Sequence, residues 1–159
     1  MDSVTTRPSE LSHALIVTAG ALTCAIPLQY VAETMRPLPI EPLAQMPGFI
    51  RGVALIRGAP VPVIDLGTLL RSEAGGSRCG RFVTVRCAER RAAVGVDTVI
   101  GLTLLESQQL AELPPMLRAV GADVIETIGS RDAQLLVVLS ATRLVPGEVW
   151  PALAARGSR

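Results

Sequence analysis

Proline and glycine interrupt this chain so often that no long helix fits into it. Twelve prolines and fourteen glycines divide the sequence, and seven of the prolines fall between Pro27 and Pro62. Proline fixes φ and lacks an amide hydrogen, so it ends helices and enters strands only at edges or donor-free positions. The runs between these breaks are short and aliphatic: ALIVTA from Ala14, LTCAI from Leu22, VALI from Val53, VPVI from Val61, FVTVRCA from Phe82 and LLVVL from Leu135. Roughly nine or ten such segments, with turn residues every 8–12 positions or so, are the pattern of an all-β barrel or sandwich. No βαβ rhythm is present. Each half of the chain holds about five strands' worth of this pattern, which points to two small barrels.

A few short helices interrupt the strands. Leu28, Val31, Ala32 and Met35 fall at i, i+3, i+4 and i+7, which predicts a brief amphipathic helix that starts after Pro27 and is stopped by Pro37. Asp65 precedes LGTLL, where its carboxylate can cap a helical turn. Ser107 is placed to cap QQLAEL, and Ser140 to cap a last turn ending near Pro146. Arg57 to Pro60 reads as a hairpin tip, and Arg71 to Arg81, with three glycines, as a loop. Pro62 marks an edge or donor-free position in its strand, and Gly95 and Gly101 mark bulges. Residues 1–11 and 149–159 read as tails around a domain spanning 12–148.

Composition excludes several functions. Arginine supplies all fifteen cations against fourteen acids, a net charge of +1, which argues against nucleic-acid binding. Aromatic residues are only 3%, so the core must be aliphatic. Cys24, Cys79 and Cys87 form no CxxC pair, and with His13 as the one histidine no close-spaced zinc site can be built. The uncharged stretch from Leu11 to Ala32 is broken by Gly20, Pro27 and polar residues, so it reads as neither a spanning helix nor a signal peptide, and a cytoplasmic chain is expected. No nucleophile elbow, HExxH or phosphate loop occurs. A small hydrolase or thiol enzyme would have to use Asp65, His13 or Cys24. Asp65 is better explained as a cap, His13 as a solvated residue, and Cys24 as part of an apolar strand.

The most informative stretch is FIRGVALIRGAPVPVIDL, from Phe49 to Leu66, with the pairs Arg51-Gly52 and Arg57-Gly58 six residues apart. With the upstream Ala25-Ile26-Pro27-Leu28, Val31, Glu33 and Arg36, and the downstream Ala93-Val94-Gly95-Val96-Asp97 and Val99, it resembles the CheW family of chemotaxis coupling proteins. The similarity covers most of residues 14–145 and departs from the family pattern at Leu55, where asparagine is frequent, and at Ile56.

The resemblance implies two SH3-like five-stranded barrels packed together. It further implies a non-enzymatic adaptor without cofactor or metal. Such an adaptor bridges the cytoplasmic tip of chemoreceptors to the regulatory domain of a CheA-type histidine kinase, and can self-associate. By residue match, Arg57, Gly58, Gly52, Val31 and Glu33 are the expected partner-binding positions, with Val31 and Glu33 on the short helix. Asp65 keeps a structural role. A divergent coupler serving a pilus, biofilm or second-messenger pathway is the alternative within the same class.

Overall fold

A computed structural model of the chain describes residues 11–71, 79–106, 110–111, 124–131, 134–147, 149–151 and 153. The strands are β1 (Leu11–Ala19), β2 (Leu22–Pro27), β3 (Val31–Met35), β4 (Ile50–Ile56), β5 (Ala59–Asp65), β6 (Arg81–Cys87), β7 (Arg90–Val96), β8 (Thr98–Glu106), β9 (Leu110–Ala111), β10 (Ile125–Arg131) and β11 (Gln134–Leu139), with the helix α1 (Leu66–Arg71) after β5. One sheet has the order β3-β6-β7-β5-β4. The other runs β8-β1-β2-β11-β10, with the two-residue β9 on the edge of β10. The fold is therefore all-β with short helical turns, in two five-stranded units, as expected.

The two units do not correspond to the two halves of the sequence. β3 to β7 build the first lobe, whereas the second combines the N-terminal hairpin β1–β2 with β8 to β11. Parallel pairing of Cys24 with Val137 joins its early and late strands. The chain crosses between sheets at Asp97. Its amide donates to the Thr18 carbonyl at 2.8 Å, and its Oδ2 accepts from the Gly20 amide at 2.9 Å, so the crossing is tied to the β1–β2 turn.

Packing explains why the strands are apolar on both faces. Along β1, Leu15 and Val17 enter a core shared by both lobes, while Ala14 and Ile16 enter a core private to the second. In the first lobe, Val53, Val83, Val85 and Val94 face the shared core, while Ala54, Ile56, Phe82 and Ala93 face a private one. Successive side chains point to opposite faces, so a strand between two cores needs aliphatic residues throughout. Each buried aliphatic side chain contributes roughly 1.5–3 kcal/mol. A one-residue slip would exchange the two sets instead of exposing them, so register depends on the turns. At the β4–β5 turn, Arg57 and Gly58 have φ of 54° and 81°, the doubly left-handed geometry of a two-residue hairpin loop.

Pro62 confirms its predicted donor-free position. Its partner Val53 gives its amide to Glu41 O at 2.8 Å and takes the Glu41 amide on its carbonyl at 2.7 Å. Those groups point away from β5, and pairing of β5 with β7 begins only at Val63. Gly101 lies at the predicted bulge, opposite the register shift between Ile16 and Val17. Gly95 does not: the β6–β7 register runs through it unbroken, and a side chain there would collide with the Cys79 thiol.

Three helical expectations change. Leu28–Tyr30 forms a single 3-10 turn, and Val31–Met35 is a strand paired with β6, so Val31 and Glu33 stand on β3 and not on a helix. Over so few residues the 3.6 and 2 periodicities are hard to tell apart, and pairing with the open edge of β6 decides. The register shift between Val31 and Glu33 leaves backbone groups that the buried Thr84 satisfies: its Oγ1 accepts from the Glu33 amide at 3.1 Å and donates to the Glu33 carbonyl at 3.3 Å. Of QQLAEL, Leu110 and Ala111 form β9, and the rest lies outside the described residues. A 3-10 turn follows Ser140 at Ala141–Arg143, without a side-chain capping bond.

The tail boundaries also shift. Leu11 already belongs to β1. Residues 149–151 and 153 are helical, and Val149 and Leu153 are buried in the shared core, so the chain is packed beyond 148. Among the described residues no helix is long and apolar enough to cross a membrane.

Candidate partner-binding site

Arg51 near the start of β4 and Arg57 in the turn that follows it stand at opposite ends of the strand and meet different acids. At the tip, Arg57 donates from Nε to Glu33 Oε2 at 2.9 Å and from Nη2 to Oε1 at 3.0 Å, a two-bond fork across the open end of the lobe. The Arg57 side chain is 70% exposed and that of Glu33 28%. The hydrogen bond from Arg57 holds the Glu33 carboxyl below its usual range, and the positive charges of Arg57 and Arg91 act in the same direction. Arg57, Gly58 and Glu33 are thus brought together from two elements by the curl of the sheet.

At the base of the same strand, Arg51 donates from Nε to Asp65 Oδ2 at 2.9 Å, with Nη2 at 2.7 Å from the same oxygen. Asp65 is fully buried, and its other oxygen accepts from the Thr68 amide at 3.3 Å, which makes it the cap of α1 as expected. Gly52 lies here, away from the tip. Its φ of +144° and the closeness of Glu41 O and Pro42 Cα exclude a side chain. Gly52 therefore shapes the lobe, and Val31, half-buried against the shared core, supports it from β3.

One surface was not singled out from the sequence. Ile100, Leu102 and Leu104 are exposed large hydrophobics at alternate positions of β8, the edge strand of its sheet, with Leu102 60% exposed. Their alternation with Gly101 and Thr103 is visible in the sequence, but within the long apolar run from Ala92 the glycines read as bulges and no exposed face stood out. On the other lobe Leu55, 68% exposed, stands opposite Pro60 beside the hairpin tip.

The CheW-like domain family matches residues 13–148. The chain belongs to that family of chemotaxis coupling adaptors. Protein FrzA of Myxococcus xanthus is 35% identical to it over 121 residues, covering 72% of this chain and 74% of FrzA. Chemotaxis protein CheW of Treponema pallidum is 21% identical over 134 residues, covering 81% and 79%. Among solved structures, the scaffolding protein TtCheW of Thermoanaerobacter tengcongensis superposes with a TM-score of 0.70 at 22% identity, over 81% of this chain and 88% of that one. That likeness establishes the fold of two SH3-like lobes.

In this CheW-like chain the residues that an enzyme reading would need stand apart. Burial pushes the Cys24 thiol up to about 12 and the Cys87 thiol to about 11, far from the depressed values of nucleophilic cysteines. Cys87 instead donates to the Ala141 carbonyl at 3.1 Å. His13 is exposed on β1, about 13 Å along the strand from Val17, the residue that pairs with Cys24. Asp65 is in the other sheet, engaged with Arg51 and α1.

Proposed function

We propose that this protein couples the cytoplasmic tip of chemoreceptors to the regulatory domain of a CheA-type histidine kinase, as a cytoplasmic, non-catalytic adaptor. The observation that carries the reading is the pairing of Glu33 with Arg57 at the hairpin tip, because it joins two family-matched positions, 24 residues apart, into one exposed polar feature. The aliphatic stripe of Ile100, Leu102 and Leu104 gives the second lobe a surface of the kind that protein partners cover. Val31 and Gly52 hold the strands from which the polar feature projects.

The test is a pull-down against the CheA-type kinases and receptors of the same genome, repeated with Arg57→Glu. Wild-type protein retains one kinase together with its receptor, and the variant melts like wild type but loses receptor control of the kinase. Full control by the variant removes the role assigned to Arg57, and retention of neither partner by folded wild-type protein removes the coupler reading. Val31→Asp is a harder probe and is read only where circular dichroism shows an intact fold. The exposed Leu55, where the family often has asparagine, favours one second reading: a divergent coupler with an output other than motility. That reading expects retention of a kinase outside the flagellar set.

A further inference from the structure

Between the ends of the β4–β5 and β6–β7 hairpins and the C-terminal helical segment lies an open groove of about 740 Å³. Arg57 and Pro60 form one wall, Arg90 and Arg91 the other, and Trp150 and Leu153 close the end. Leu153 is anchored in the shared core, whereas Trp150 is only partly buried. The Arg90 guanidinium carbon lies over the indole, 5.0 Å from its centroid. A groove of this volume admits a few side chains of an extended segment, not a folded domain.

Its electrostatics are unbalanced. The β6–β7 register sets Arg86 directly opposite Arg91, and both are exposed. Like charges facing each other across an antiparallel pair repel. Glu33 feels the charge of Arg91 at a distance, but both hydrogen bonds of its carboxylate go to Arg57 and it forms no salt bridge with Arg91. Arg86 donates to the Gln29 carbonyl at 3.3 Å, and among the described residues no carboxylate forms a salt bridge with Arg86 or Arg91. Guanidinium groups take carboxylates by paired hydrogen bonds, and tryptophan and arginine are among the residues enriched where protein contacts carry most energy.

We propose that this groove binds an acidic segment of a partner protein, with one carboxylate on Arg91 in the lining, a second running on to Arg86 just outside it, and an aliphatic side chain seated against Trp150. Charge complementarity selects that occupant. Glu89 on the same rim and a net charge of only +1 disfavour a phosphate backbone, which gains affinity from many cations in a row. The proposal deepens the coupler reading by naming the chemistry of one partner segment, but the groove stands on its own residues.

Emission from Trp150 in the full chain reads the groove directly, because it is the sole tryptophan. The probes are a soluble peptide alternating glutamate with leucine and its lysine–leucine counterpart. The acidic peptide alone produces a saturable change, weakened by salt and weakened about tenfold or more in the Arg86→Gln, Arg91→Gln double variant. No response, or equal responses to the two peptides, overturns the proposal. So does a stronger response to oligothymidylate, which assigns the groove to nucleic acid, or a change with protein concentration alone, which assigns it to a second copy. If the double variant melts early, Arg91→Gln alone is used, and unchanged peptide affinity in that variant also overturns the proposal. The kinase and receptor pull-down is scored separately. Peptide binding without retention of either partner sinks the coupler reading and leaves the groove, while retention without peptide binding does the reverse.

Discussion

The same dipeptide stands at the base of β4 and in the turn that ends it, and the two copies do opposite things. Arg51 at the base of the strand pairs with a carboxylate that has no solvent exposure, while Arg57 at the tip pairs with one at the surface. The base pair is integrated with the cap of α1, so it holds the helix, the strand and the shared core in one arrangement. The tip pair spans a gap in water, where an ion pair adds little stability and can be exchanged for a partner's groups. Gly52 and Gly58 differ in the same way. Gly52 is excluded from carrying a side chain by the backbone of Glu41 and Pro42, whereas nothing lies near a Cβ at Gly58, and only its left-handed φ matters. Burial, not residue identity, separates the structural copy from the exposed one.

The largest effect is expected at the base. Asp65→Ala removes the cap and that carboxylate of Arg51, and costs about 3 kcal/mol in chemical denaturation, at the low end for buried pairs because Arg51 is 41% exposed. Asp65→Asn keeps a capping oxygen and loses less. Equal losses would mean that the cap contributes nothing. Gly52→Ala forces a side chain into backbone at left-handed φ and costs about 2–3 kcal/mol, whereas Gly58→Asn, at a left-handed turn position that asparagine tolerates, leaves the fold intact. If the two variants melt alike, the contrast between base and tip fails.

Thr84→Val tests the support beneath the tip. The buried hydroxyl satisfies both backbone groups of Glu33, so its loss costs about 1–2 kcal/mol and loosens the Glu33–Arg57 fork. A loss of stability without any change in the Arg57 side-chain resonance would separate the bulge from the fork. The smallest effect is the acid titration of Glu33. Its folded pKa is lowered, so the fork is intact through the usual carboxylate range and opens only as pH falls below it. An NMR titration of the Glu33 carboxyl reads this, and Arg57→Gln moves the midpoint upward toward the usual value. A wild-type Glu33 that titrates at the usual value would show that the fork does not persist in solution.

Much of the β architecture was legible because its causes are local. Pro62 requires a donor-free position wherever it occurs, Arg57-Gly58 suits a tight hairpin, and Asp65 before LGTLL is a cap by spacing alone. The segment from Leu28 to Met35 was misread because the same residues satisfy helix and strand periodicities, and only the open edge of β6 selects between them. The packing of Val149 and Leu153 was missed although they stand at i, i+4 in the apolar run Val149 to Ala155, because Pro151 inside so short a run argues against a helix until a core is present to receive it. Of the site, the family-matched residues were legible one by one. The β8 stripe was not, because alternation reveals that two faces differ but not which of them meets water.

The sequence by itself determined an all-β chain of short aliphatic strands, the positions of its turns, and the family motif around the two Arg-Gly pairs. These follow from backbone sterics and from side-chain period, which act over a few residues. The tertiary structure alone decided which arginine meets which acid, that the N-terminal hairpin joins the C-terminal lobe, and that one face of β8 stays exposed. Those outcomes depend on charge pairing and burial between residues far apart in the chain. Their energies are set by how much water each group loses, and that is known only once the lobes have closed on their shared core.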